Sequence, residues 1–227
     1  MKRLKSLLFL FIGTFFFSTY ISHAQRVDMA TEVGFMSKSL SPKLEAEGSP
    51  YVNEEYLPVK VNGQDIIYSA RYNAYNDEME IKTAESENPI ALDTKIDYTV
   101  TFINNNKVYR TLSYPNSRGQ MLKGFLVKVY STENYTLFMK ENIKYQDKIK
   151  AKSSYQSDKP AKFVRDADVF YVQKNDGPVK IVPNKRKEIH EIFDTNQDKI
   201  KDFIKDSKTD SDDKNDLVKL LIFADTL

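Results

Sequence analysis

Residues 98–112 read Tyr98-Thr99-Val100-Thr101-Phe102-Ile103-Asn104-Asn105-Asn106-Lys107-Val108-Tyr109-Arg110-Thr111-Leu112. Two runs rich in β-branched and aromatic residues flank three asparagines, and asparagine tolerates the backbone of a tight turn. The stretch reads as a β-hairpin, and the pattern recurs on both sides of it. Upstream, Pro58-Val59-Lys60-Val61 runs into Asn62-Gly63 and then Ile66 to Tyr75. Asn-Gly between β-rich runs is a strong hairpin signal, because both central residues of a type I′ turn need positive φ. Asn76-Asp77 forms a further turn before Met79-Glu80-Ile81, where apolar and polar residues alternate. Downstream, strands are expected at Gly124 to Tyr130, Tyr135 to about Lys152 and Val169 to Gln173. Asp176-Gly177 closes a last hairpin onto Val179-Lys180-Ile181-Val182.

The period changes after Pro183. Apolar residues fall at Ile189, Ile192 and Phe193, then Ile200, Phe203 and Ile204, then Leu217, Leu220, Leu221 and Ala224. Spacings of three and four mark amphipathic helices. Asp194, Thr195 and Asp212 stand where N-caps are expected. Strands followed by helices define an α+β chain. It should be a mainly antiparallel β-sheet domain over residues 48–183, with two or three short amphipathic helices at residues 184–227 packed on it. Residues 25–47, ahead of the break at Gly48-Ser49-Pro50, form an extended lead-in.

Residues 1–24 have the order of a secretory signal peptide. A basic start (Lys2, Arg3, Lys5) precedes an apolar run from Leu7 to Phe17, and Ser22-His23-Ala24 offers small residues before Gln25. The apolar run is well short of the roughly 20 residues that span a bilayer. Cleavage after Ala24 leaves 203 residues with a net charge of −1, where the whole chain has +2. The chain has no Cys, which excludes disulfides, thiolate chemistry and acylation as a lipoprotein. Only His190 remains as an imidazole, so a multi-His zinc site is excluded, and a charge near zero gives no general reason to bind nucleic acid. The expected location is the periplasm or outer-membrane periphery of a Gram-negative bacterium.

Three segments carry a family likeness. They are Gly48-Ser49-Pro50-Tyr51-Val52-Asn53-Glu54-Glu55-Tyr56, Val61-Asn62-Gly63, and Arg71-Tyr72-Asn73-Ala74-Tyr75-Asn76-Asp77-Glu78-Met79-Glu80-Ile81. Together with Lys152-Ser153-Ser154-Tyr155 and the closing helices, they resemble a group of uncharacterised exported proteins of Bacteroidota. The resemblance implies a Gram-negative envelope setting and carries over no activity and no catalytic residue.

The candidate sites are few. Asp194-Thr195-Asn196-Gln197-Asp198 opens like a calcium loop, but Lys199 replaces the turn glycine and Lys205 the closing bidentate Glu, so helix capping is the better reading. Asp210, Asp212 and Asp213 read likewise as a solvated loop and cap. His190 lies in a helical pattern, no G-x-S-x-G elbow accompanies it, and seven glycines leave no phosphate-cradling loop. Glu54-Glu55 and Asp77-Glu78 are acid pairs of a kind common near turns. No catalytic residue, metal or cofactor is assigned. The tyrosines stand out more: Tyr68 and Tyr72 share a strand face by the period of two, with Tyr75 on the other, and exposed they would form a recognition surface. Charge is also segregated, with a balance of −5 over residues 76–97 and +5 over residues 140–165. Lys144, Lys148, Lys150 and Lys152 fall on even positions, so one extended strand would align them as a basic strip. The strip would either block edge pairing or meet acidic partners and anionic headgroups.

The expected function is that of an exported, non-enzymatic envelope protein. It would be a binding or assembly component of an outer-membrane or periplasmic complex, with another envelope protein as partner. A glycan- or lipid-binding module is the first alternative, and a hydrolase without a visible motif the second.

Overall fold

A computed structural model describes residues 35–83, 86–151 and 157–227. The export segment 1–24 lies outside the described residues, and so does Lys152. The described residues fold into thirteen strands and then three helices, so the α+β class holds. The strands are β1 (Ser37–Lys38), β2 (Leu57–Val61), β3 (Ile67–Asn73), β4 (Glu78–Thr83), β5 (Ser86–Leu92), β6 (Thr99–Phe102) and β7 (Lys107–Pro115). They continue with β8 (Met121–Ser131), β9 (Tyr135–Lys140), β10 (Ile143–Gln146), β11 (Lys162–Arg165), β12 (Val169–Lys174) and β13 (Val179–Ile181). A 3-10 helix, Arg186–Ile192, precedes α1 (Gln197–Ser207) and α2 (Lys214–Asp225).

Eleven strands form one sheet in the order β1-β5-β4-β3-β2-β6-β7-β8-β9-β12-β13, and β10 and β11 pair apart from it. Every ladder between these strands is antiparallel. The turns use the residues that sequence nominates: Asn62 and Gly63, Asp77 and Asn106 all take positive φ. The sheet curls, bringing β4 against β8 and β13 against β7. Strand β8 is therefore covered on both faces, with Phe125, Leu126 and Val127 all buried in succession. Phe125 and Val127 join Tyr72, Met79, Val100 and Tyr109 on one side, while Leu126 meets Phe138, Tyr171 and Val179 on the other.

Three expectations fail. The run from Tyr135 does not continue to Lys152, because the chain leaves the main sheet after Lys140. Asn142 makes the corner, its side-chain amide donating to the carbonyls of Lys140 and Ala167 while its own carbonyl accepts from Asp166 N–H. The strand then resumes as β10 against β11. Second, β5 is an addition, a strand not among those expected between Ile81 and Tyr98. Proline is tolerated there because β1 pairs only with Ala91 and Leu92, leaving the Pro89 side an edge. Third, neither Asp194 nor Thr195 caps α1. Its N-cap is Asn196, left-handed and without a side-chain cap bond, while Asp194 pairs with Lys180 at 2.6 Å. The α2 cap is Asp213, which accepts from the N–H groups of Asn215 and Asp216, and not Asp212.

The helices close one side of the sheet. Ile189, Phe193, Ile200, Ile204, Leu217, Leu220 and Leu221 bury themselves with Leu137, Phe170 and Val172 of β9 and β12. The lead-in is also part of the fold: Phe35 is buried, and the Tyr98 hydroxyl both donates to Met36 C=O and accepts from its N–H.

Candidate functional site

The lead-in crosses the outer face of β3 and β4 and roofs a cavity of about 230 Å3. Gly48 lets it come close to β11: at φ +76°, a Cβ there would lie 2.9 Å from the Phe163 carbonyl oxygen. Beneath the roof, Arg71 of β3 stands opposite Glu80 of β4 in the ladder. Both side chains leave the core face, since Ala70, Tyr72, Met79 and Ile81 fill the other one. Arg71 Nε donates to Glu80 Oε2 at 2.9 Å, and Nη2 lies 2.8 Å from the same oxygen. Tyr51 O–H donates to Oε1 at 2.9 Å and Tyr56 O–H to Oε2 at 2.8 Å. The guanidinium also lies over both rings, 3.7 Å from the Tyr51 centroid and 4.4 Å from that of Tyr56. Arg71 completes its bonding on Tyr51 Oη and the Glu54 carbonyl.

Burial, reinforced by the hydrogen bond to Glu80, pushes the Tyr51 hydroxyl up to about 12 and Tyr56 higher still. The carboxylate therefore has its acceptor positions filled by protonated or cationic donors. Such an acid, bonded on both oxygens, holds the shape of the hollow. Next to it, Glu78 fastens the lead-in, accepting from Ser41 Oγ at 2.7 Å and pairing with Lys38 at 3.0 Å. At the cavity's other side Tyr75 is 37 % exposed and packs edge-on against Phe163. Tyr145 completes this aromatic group, 5.5 Å from Phe163.

A second polar cluster pins the curl of the sheet. Asp77, left-handed at the β3–β4 turn, reaches over Gly124 of β8. Its Oδ1 accepts from Phe125 N–H at 3.1 Å, Tyr72 O–H at 2.7 Å and Lys140 Nζ at 2.5 Å. Burial lowers the Lys140 pKa, with Asp77 opposing that shift. Glu141 is likewise enclosed, bonded to Lys107 at 2.7 Å and to Tyr109 O–H at 2.5 Å.

Of the tyrosines named from sequence, Tyr68 and Tyr72 share a face, and that face is the core. Both are buried, so neither ring is available to a partner, and only Tyr75 reaches the surface. The lysine strip is broken because β10 ends at Gln146, ahead of Lys148. Lys144 is on β10 and pairs with Asp166 at 2.6 Å; Lys148 follows the strand and pairs with Asp158 at 3.0 Å. Lys150 is exposed in the loop beyond. His190 sits on the 3-10 helix with Nδ1 buried and unpartnered, so no triad forms through it. Among the described residues no group of three or more His, Asp or Glu side chains is placed to hold a metal ion.

Sequence reading missed Tyr51, Tyr56, Arg71 and Glu80 as a group. The available signal was the opposite charge of Arg71 and Glu80 at outward positions of two strands joined by one short turn. All four residues also fall within the segments that carry the family likeness. No protein-family model, curated protein or solved structure matches the chain.

Proposed function

We propose that the protein is exported and acts without catalysis, as a binding or assembly component of an outer-membrane or periplasmic complex. The observation that carries this reading is the cavity beneath the lead-in. Its acid is saturated by Arg71, Tyr51 and Tyr56, while aromatic surface at Tyr75 and Phe163 lies open beside it. A rigid, internally neutralised hollow with exposed rings suits recognition, where aromatic residues supply contact area at low entropic cost. The basic start, short apolar run and Ser22-His23-Ala24 support export. The resemblance to exported Bacteroidota proteins supports an envelope setting.

The test is co-purification from native envelope extract with the tagged full chain. The expected result is a specific protein partner captured by the wild type and lost with Tyr75→Ala. No enrichment over the untagged control, or full capture by that variant, overturns the reading. A glycan is the second occupant considered, because Asn76 and the Tyr75 and Phe163 rings line one cavity and could stack and hydrogen-bond a sugar. Binding on a glycan array without a protein partner would select it.

A further inference from the structure

The 3-10 helix and α1 enclose another cleft, of about 310 Å3. It is lined by Arg186, Lys187 and His190 from the first and Lys201, Ile204 and Lys205 from the second. Residues 201, 204 and 205 share one helix face by their spacing, so the fold itself converges these cations. Ile204 is buried and forms an apolar floor, while Lys187, Lys201 and Lys205 are exposed around it. The segment as a whole is not basic: residues 184–227 hold nine Lys+Arg against eleven Asp+Glu. Yet no acid lines the cleft. Glu188 pairs with Lys185, Asp194 with Lys180 and Asp216 with Lys219.

The lysines of the cleft are left without such partners, and Arg186 feels only Asp216, an acid already paired with Lys219. Among the described residues the side chains of Lys187, Lys201 and Lys205 form no ion pair or hydrogen bond, and that of Arg186 commits only Nε, to the Thr209 carbonyl at 2.8 Å. In the same place His190 Nδ1 is buried without a partner. Like charges gathered around one hollow repel each other, and a buried polar atom without a bond is costly. A bound anion relieves the first of these.

We propose that this cleft binds a phosphate-bearing anion, its oxygens held by Arg186, Lys187, Lys201 and Lys205. The free Nη groups of Arg186 suit a planar two-point contact, and the lysines act as point charges around it. Phosphate mono- and diesters share this chemistry, whether on a lipid headgroup or a soluble compound. The site is separate from the cavity under the lead-in and stands or falls independently of it.

The test titrates inorganic pyrophosphate into the full chain by calorimetry. In parallel, the chain is pelleted with phosphatidylglycerol vesicles and with phosphatidylcholine vesicles. The variants are Lys201→Gln/Lys205→Gln, both exposed positions, and Lys144→Gln/Lys148→Gln as the control, with thermal melts confirming that each folds. Saturable pyrophosphate binding, weakened about tenfold or more in the first variant and unchanged in the control, is the expected result. Pelleting with phosphatidylglycerol that requires Lys201 and Lys205 also supports the site and names a headgroup as ligand. Pyrophosphate binding without pelleting names a soluble phosphate. Absence of both, or equal binding by both variants, overturns the proposal.

Discussion

Gly124 shows how a single missing side chain makes room for a carboxylate. A Cβ at that position would lie 1.8 Å from Asp77 Oδ2, so glycine there leaves the Asp77 side chain space to reach over β8. Asp77→Ala is expected to cost about 3–5 kcal/mol in urea denaturation, because it strands the buried Lys140 ammonium. Gly124→Ala should destabilise by displacing the same carboxylate. In the double mutant the two costs should fall short of their sum by about 0.5–3 kcal/mol, since truncating the Asp77 side chain leaves the added methyl room. Full additivity would show that the close approach is unimportant. The tyrosines give a second expectation at this scale. Nine of them have hydroxyls raised above the ordinary value of 10, Tyr51 and Tyr171 to about 12. Because their folded-state values exceed the unfolded one, their contribution is complete below pH 10 and lost as pH climbs through the folded values. Lys140 is lowered and acts with the opposite sign, one group against nine. Stability should therefore fall above pH 10, with tyrosinate absorbance rising together with unfolding. Complete ionisation while the fold persists would contradict it.

At the scale of elements, the two helices differ in how they begin. Asp213 bonds two orphan N–H groups of α2, so Asp213→Ala should lower stability by about 1 kcal/mol, while Asp212→Ala should change it by less than about 0.5 kcal/mol. Equal effects would mean that the cap is misplaced. The opening of α1 has no side-chain cap, and its stability comes from Ile200 and Ile204 in the shared core. Phe203 is only partly buried, stacked on Phe223 with centroids 4.3 Å apart. Phe203→Ala should thus fall below the roughly 3–5 kcal/mol of a fully packed phenylalanine. Leu220→Ala, wholly inside, should cost about 2–5 kcal/mol. Asp198→Ala should leave the melting temperature unchanged with or without calcium; a calcium-dependent rise lost in that variant would reveal an ion site at the start of α1.

For the whole molecule, export makes one sharp expectation. Mass spectrometry of the protein from its host should give a chain beginning at Gln25; an intact Met1 or another start would refute cleavage after Ala24. The lead-in should then behave as a structural strap. Phe35 fills the core, Ser37 and Lys38 extend the sheet, and Ser41 reaches Glu78. A chain lacking residues 35–41 should lose the Tyr98 and Glu78 contacts and melt several degrees lower in calorimetry, since about 1 kcal/mol shifts a melt by about 2–4 °C in a chain of this size. No helix among the described residues is long and apolar enough to cross a membrane.

The hairpins, the late switch to helices and the core face of α1 were legible because each rests on local periodicity and turn chemistry. Asn62-Gly63 needs positive φ wherever it sits, and Ile200 and Ile204 share a face in any helix. What depended on long-range contact was not legible. Periodicity put Tyr68 and Tyr72 on one face but did not say whether that face meets water, and the curl of the sheet decided that it does not. Even-numbered lysines would have formed a strip only on an unbroken strand, and β10 ends at Gln146, before Lys148. The Arg71–Glu80 network needs a lead-in arriving from tens of residues away to bury it. The cationic cleft needs two helices, each mixed in charge, to turn their basic positions toward each other. The sequence alone determined most of the strands, the closing helices and the hairpin turns. Which faces are buried and which charges converge was decided only by tertiary structure, because burial and electrostatics depend on distances between residues that the order of the chain does not fix.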